Sequence, residues 1–298
     1  MSIDTVGVVG AGQMGRGITQ ILSTTGMHVV LFDLYQKTLD EAVEEITRRL
    51  NEAIQNKELT EWVREKILKN IKTTTRPEDL SSAEIIIEAV PEKEEIKADV
   101  FEMLDELCSE ETLFGTATSS LSITRMASMV RSPERFIGIH FIHPAYVIPI
   151  VEIVRGFHTS DETFSKTKQF VERLGKVVIV SKDFPGFIVN RILLPMINEA
   201  IFAVMDQVAS IEAIDHAMKL GVGFPAGPLR MADYIGLDTC LDIMEILYTE
   251  FGDSKYRPAP LLRKYVEANL LGQKTGKGFY NYTPTPPVEK DKKPIRSV

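Results

Sequence analysis

The chain has 298 residues, 44% of them hydrophobic, and a mean hydropathy of -0.02, which is enough apolar matter for two domains and too much for a disordered chain. A formal charge of -8 and an isoelectric point near 5.3 exclude generic nucleic-acid binding, which draws on clustered Lys and Arg. Its two cysteines, Cys108 and Cys240, match neither a metal-ligand spacing nor a disulfide framework, so a reducing compartment and two buried thiols are expected, with no metal site.

In chain order, Met-Ser-Ile-Asp-Thr leads straight into an apolar strand without the features of a secretory signal, and no apolar run reaches the length of a membrane helix. The expected location is the cytoplasm. Residues 5 to 10, Thr-Val-Gly-Val-Val-Gly, predict a buried strand closing in a tight turn. A helix is predicted over Gly12 to Thr25, a second buried strand over 27 to 33 and a long helix over Gln36 to Gln55. That order, with apolar rather than alternating strands, predicts a parallel sheet covered on both faces. Arg48 to Lys72 holds seven basic residues against four acidic ones and reads as a solvated helix face, the one local exception to the acidic balance that would suit an anionic ligand.

Further strands are predicted at Ile85 to Val90, Thr112 to Thr116, Arg135 to Ile142, Ile148 to Val154 and Lys176 to Val180. Beyond Phe187 the pattern is helical, as in Ile192 to Val208, Ser210 to Leu220 and Asp238 to Phe251. The change of class at Asp183-Phe184-Pro185-Gly186 predicts a Rossmann-type, doubly wound α/β domain over 1–184 and an all-helical domain over 185–282. The Pro- and charge-rich tail, 283–298, is expected to be loosely ordered.

Gly10-Ala11-Gly12-Gln13-Met14-Gly15 fits G-x-G-x-x-G between a predicted strand and a predicted helix. There the first glycine permits the turn, the second admits a pyrophosphate to the backbone, and the third allows close helix packing with the helix N-terminus facing the anion. Asp33 ends the next strand at the distance at which a carboxylate accepts from a ribose diol. An acidic group there repels a 2'-phosphate, and no arginine follows in Leu34-Tyr35-Gln36-Lys37, so NAD is expected over NADP.

A dinucleotide fingerprint leaves the reaction open. Gly138-Ile139-His140-Phe141 places a histidine at a strand end, and Glu152 lies inside the next apolar strand, where an unpaired carboxylate costs several kcal/mol. Pairing with His140 removes that cost and fixes one tautomer, leaving the other ring nitrogen to take a hydroxyl proton.

These residues resemble the L-3-hydroxyacyl-CoA dehydrogenase family. The likeness extends over Glu88-Ala89-Val90-Pro91-Glu92, Thr118-Ser119-Ser120-Leu121, Pro185-Gly186-Phe187-Ile188-Val189-Asn190-Arg191, Gly227-Pro228, Asp233-Tyr234-Ile235-Gly236-Leu237-Asp238 and Gly272 to Tyr280. It implies hydride exchange between NAD and the 3-hydroxyl carbon of an acyl-CoA, with His140 as base, Glu152 as its partner, Ser119 near the substrate oxygen and Asn190 as a polar group from the helical domain. It further implies that Glu92, Lys97 and Lys274 serve the cofactor side of the cleft, and that the protein forms a homodimer through its helical domain.

Two positions depart from the family pattern, which has Asn where this chain has Ala117 and His143. Both are expected to flank the nicotinamide and the reacting carbon, forming with Ser119 a substrate pocket. Ala117 removes an amide donor and acceptor together, and His143 is bulkier and able to take a proton. Ala145 to Glu152 is similar to the gulonate and carnitine dehydrogenase branches, which leaves a free or carrier-bound hydroxy acid as the alternative substrate. A catalytically poor relative of the eye-lens kind is a third reading, opposed by the intact set His140, Glu152, Ser119 and Asn190.

Overall fold

The computed structural model describes residues 3–282, so the expected tail at 283–298 lies outside the described residues. Two compact units part between Val189 and Asn190. The first contains, in order, β1 (Thr5–Val9), α1 (Gln13–Thr24), β2 (His28–Phe32), α2 (Gln36–Gln55), α3 (Glu61–Lys69), β3 (Ile71–Thr74), β4 (Ile85–Glu88), α4 (Glu94–Leu107), β5 (Leu113–Thr116), α5 (Ile123–Ala127), β6 (Phe136–Phe141), β7 (Ile150–Arg155), α6 (Asp161–Arg173) and β8 (Val177–Lys182).

The strands form one sheet in the order β3-β2-β1-β4-β5-β6-β7-β8. Its first six positions follow the 3-2-1-4-5-6 order of a doubly wound dinucleotide fold, in which ligands meet the carboxyl ends of the strands. Alternation sends side chains into two cores. Ile85 and Ile87 join Val6, Val8 and Leu31 on one face, while Ile86 joins Phe101, Phe114 and Phe136 on the other. With both faces covered, each strand reads as continuously apolar.

Two features differ from the expectation. The sheet is not wholly parallel: β6 and β7 run antiparallel, with His140 opposite Glu152. The eight residues 142–149 between them are too few for a crossover, so the chain returns as a hairpin. The end of the basic stretch is also no helix face. Ile71–Thr74 forms β3, parallel to β2 at the sheet edge, while Arg48 and Arg49 pair with Glu45 on their own helix.

The second unit is helical, with α7 (Val189–Met205) entering it from the boundary, followed by α8 (Ile211–His216), α9 (Pro228–Ile235), α10 (Leu237–Phe251) and α11 (Pro260–Glu267). Its core gathers Leu194, Ile201, Leu229, Met244 and Leu262. Pro228 opens α9 where a missing N–H costs nothing, and Asp215 accepts from Leu229 and Arg230 in that first turn. No helix among the described residues is long and apolar enough to cross a membrane.

Candidate active site

At the end of β1 the chain turns through Gly10 at φ 98°, where a Cβ would lie 2.7 Å from the Ala89 carbonyl oxygen. A Cβ on Gly15 would meet the Gly10 carbonyl oxygen at 1.7 Å, so α1 approaches β1 only because that side chain is absent. Around Gly12 nothing lies within 4 Å of the Cβ position, and α1 starts there with no side-chain cap. An open glycine beside uncapped N–H groups suits a pyrophosphate. Gln13 and Met14 are the first residues of that helix. Asp33 follows β2, with Oδ2 accepting from the Ala11 N–H at 2.9 Å and Oδ1 from the Tyr35 N–H at 3.1 Å. Each oxygen keeps acceptor capacity for a ribose diol. Nearby Lys37 sits 3.7 Å from Glu41. The residues present thus fit a dinucleotide.

Antiparallel pairing of β6 and β7 sets the next feature. Nδ1 of His140 lies 2.7 Å from Oε2 of Glu152, and the two residues are 4% and 0% exposed. Oε1 of Glu152 accepts from the N–H groups of Ile188 and Val189 at 3.0 and 3.1 Å. The carboxylate is therefore held on both oxygens, and its hydrogen bond assigns the proton to Nδ1. Nε2 is left with its lone pair and with no hydrogen-bond partner among the described groups of its unit. The Phe187 ring lies 5.5 Å from the imidazole, centroid to centroid.

A second constellation joins the ends of β4 and β5. Lys97, 1% exposed, donates to Oε1 of buried Glu88 at 2.6 Å and lies 3.2 Å from Oε2 of Glu92. Glu88 also accepts from the Val90 N–H and the Thr116 hydroxyl, each at 2.7 Å. Glu92 accepts from the Thr118 hydroxyl, the Ser119 N–H at 3.0 Å, and the Ser120 N–H and hydroxyl at 3.2 and 2.9 Å. One carboxylate thus fixes the loop that carries Ser119. Burial raises the Glu88 carboxyl above its ordinary range. Burial pushes Glu92 the same way, but Lys97, Thr118, Ser120 and the Ser119 N–H outweigh it and hold that group low. Lys97 accordingly acts from inside the fold, beneath the loop. Sequence reasoning gives Glu88, Thr116, Thr118 and Ser120 no role of their own; the signal for the network is a carboxylate ending the apolar run Ile85-Ile86-Ile87.

The loop between β6 and β7 places His143 against the glycine loop, its Nε2 3.0 Å from Nε2 of Gln13. Burial, then the charges of Arg49 and Arg16, lower His143 below the usual imidazole range. Ala117 follows β5 and packs partly buried against the same apolar cluster as Met14 and Ala89. In the second unit, Asn190 is the second residue of α7, and Lys274 pairs with Asp238 at 2.5 Å. The first unit thus brings together Gly10, Gly12, Gln13, Met14, Gly15 and Asp33, the His140–Glu152 pair, and the Ser119 loop with Glu92 and Lys97; Asn190 and Lys274 belong to the other.

Residues 5–184 match "3-hydroxyacyl-CoA dehydrogenase, NAD binding domain" and residues 186–282 match "3-hydroxyacyl-CoA dehydrogenase, C-terminal domain". The chain belongs to the 3-hydroxyacyl-CoA dehydrogenase family. Among its relatives, a 3-hydroxybutyryl-CoA dehydrogenase of Bradyrhizobium diazoefficiens is 49% identical over 286 residues, covering 96% of this chain and 98% of that one. The human mitochondrial hydroxyacyl-coenzyme A dehydrogenase is 39% identical over 284 residues, covering 93% and 90%. A crystal structure of (S)-3-hydroxybutyryl-CoA dehydrogenase from Ralstonia eutropha superposes with a TM-score of 0.91 at 45% identity, covering 95% of this chain and all of that one. As a 3-hydroxyacyl-CoA dehydrogenase family member the protein is an NAD-dependent oxidoreductase.

Proposed function

We propose that the protein oxidises the 3-hydroxyl of a short acyl group carried as a coenzyme A thioester, with His140 as general base. The observation that carries this reading is the clamped pair: Glu152 is tied on one side to Nδ1 of His140 and on the other to two backbone N–H groups. The Gly10–Gly15 loop and Asp33 would hold NAD, which would supply the hydride acceptor. Nε2 of His140 takes the hydroxyl proton, and Glu152 stabilises the imidazolium that results. In the reverse direction the same nitrogen returns the proton to the carbonyl oxygen. The Ser119 hydroxyl donates to that oxygen, its loop held by Glu92 and Lys97, and the resemblance adds Asn190 and Lys274 to the residues that serve the reaction. Ala117, Ser119 and His143 line the acyl pocket. The short chain rests on relatives named for 3-hydroxybutyryl-CoA. A homodimer, on resemblance, and a cytoplasmic location, on two buried free thiols that fit a reducing compartment, belong to the same proposal.

Oxidation of 3-hydroxybutyryl-CoA with NAD and with NADP tests this reading. The expected result is stoichiometric formation of the 3-keto thioester and a preference for NAD of tenfold or more, about 1.4 kcal/mol, because Asp33 repels a 2'-phosphate. Asp33→Ala should weaken NAD binding and narrow that gap. A native preference for NADP, or no turnover of the thioester with either dinucleotide, contradicts it.

A further inference from the structure

The loop from Ile142 to Pro149 is fixed independently of the catalytic pair. Nζ of Lys176, at the turn before β8, donates to the carbonyl oxygens of Ala145 at 2.9 Å and Ile148 at 2.6 Å. The loop also lies close on α1, where a Cβ at Gly17 would sit 3.4 Å from that of Ala145. The Arg49 guanidinium, from α2, stacks 4.4 Å above the Tyr146 ring. These anchors hold the loop that carries His143, and its ring lies beside Gln13.

We propose that His143 is a positioning residue for the dinucleotide loop, its neutral ring accepting a hydrogen bond from the Gln13 side chain and thereby holding the first turn of α1 for NAD. The inference rests on the NAD site assigned above and goes beyond it by tying the loop after β6 to the glycine loop. A carboxamide nitrogen only donates, so Nε2 of His143 must present its lone pair, which requires the tautomer protonated on Nδ1. A ring protonated on both nitrogens would turn an N–H toward Gln13, so the amide would have to rotate and present Oε1, giving up the arrangement seen here. Within this unit the charged groups acting on the ring are Arg49 from α2 and Arg16 from α1, both cationic and both opposing a third positive charge; Glu45 is occupied by Arg48 and Arg49. The neutral ring, and with it the ring-accepting arrangement that holds the amide NH2, is therefore complete above the ordinary imidazole value of 6.5 and is lost as pH falls through the lowered one.

The test is NADH binding to the otherwise ligand-free protein, followed by nucleotide fluorescence at several pH values, alongside steady-state kinetics. His143→Phe keeps a ring and removes the acceptor; it should weaken NADH binding about three- to tenfold at neutral pH and raise KM for NADH more than it lowers kcat. His143→Gln, whose Oε1 reaches to about the position of Nε2, should restore binding and abolish the acid-side weakening of the native protein. Gln13→Leu should match His143→Phe, and the double variant should lose no more than either. NADH binding unchanged in His143→Phe and Gln13→Leu, or an acid-side weakening that persists in His143→Gln, overturns the proposal and leaves the assignment of His140 untouched.

Discussion

Replacing His140 by Gln is expected to lower turnover by about two to four orders of magnitude while NAD affinity stays nearly unchanged, the loss typical of a positioned acid-base group. Glutamine keeps polarity and approximate length but accepts no proton at its amide, so a fall in kcat isolates the proton transfer. Glu152→Gln should cause a smaller or comparable loss. It keeps the side-chain volume and an oxygen able to accept from the Ile188 and Val189 N–H groups, but removes the negative charge that stabilises the imidazolium. The two losses should fall short of additive, since Glu152 acts through His140. Near-native turnover in His140→Gln would remove the proposed base.

Lys97→Met should be the most destabilising single change near the site, costing about 3–5 kcal/mol in denaturant unfolding, the usual penalty for leaving one charge of a buried pair alone. Lys97 and Glu88 are 1% and 0% exposed, and no other cation approaches Glu88 in the described structure. Adding Glu88→Gln to Lys97→Met should recover part of the loss, because the amide carries no charge, its oxygen can accept from the Val90 N–H and its NH2 can donate to the Thr116 hydroxyl. The same Lys97→Met change frees Glu92 from its cation, so the Ser119 loop should loosen as well. Faster amide exchange at Ser119 and Ser120 than in the native protein would report it; full stability together with native exchange rates would contradict this account of the network.

Much of this organisation is legible in the sequence, for reasons that are physical. Gly10, Gly12, Gly15 and Asp33 are readable because a turn, a pyrophosphate and a ribose each demand one residue type at one spacing. His140 and Glu152 are readable because a carboxylate in an apolar strand needs a partner. The direction of β7 is not carried by its composition, since Ile-Val-Glu-Ile-Val suits either direction; the short connection before it was the usable sign. Strand β3 hides in a basic stretch because its four residues, Ile-Lys-Thr-Thr, become a strand through pairing with β2 rather than through their own pattern. The resemblance assigns Lys97 to the cofactor side, and its burial comes from its register, for it shares the buried stripe of α4 with Phe101 and Leu104. His143 shows the opposite limit: its departure from the family's Asn was visible, whereas its contact with Gln13, far away in sequence, depends on tertiary packing.

Whether the hydride goes to or from the 3-carbon of a coenzyme A thioester is decided by NADH oxidation by the purified protein with acetoacetyl-CoA beside free acetoacetate. The kcat/KM for the thioester is expected to be at least about a hundredfold above that for the free acid, because a site built for the carrier leaves polar groups unpaired when it is missing. Equal or faster turnover of acetoacetate, or of keto acids of the gulonate or carnitine kind, with acetoacetyl-CoA slow, would contradict it.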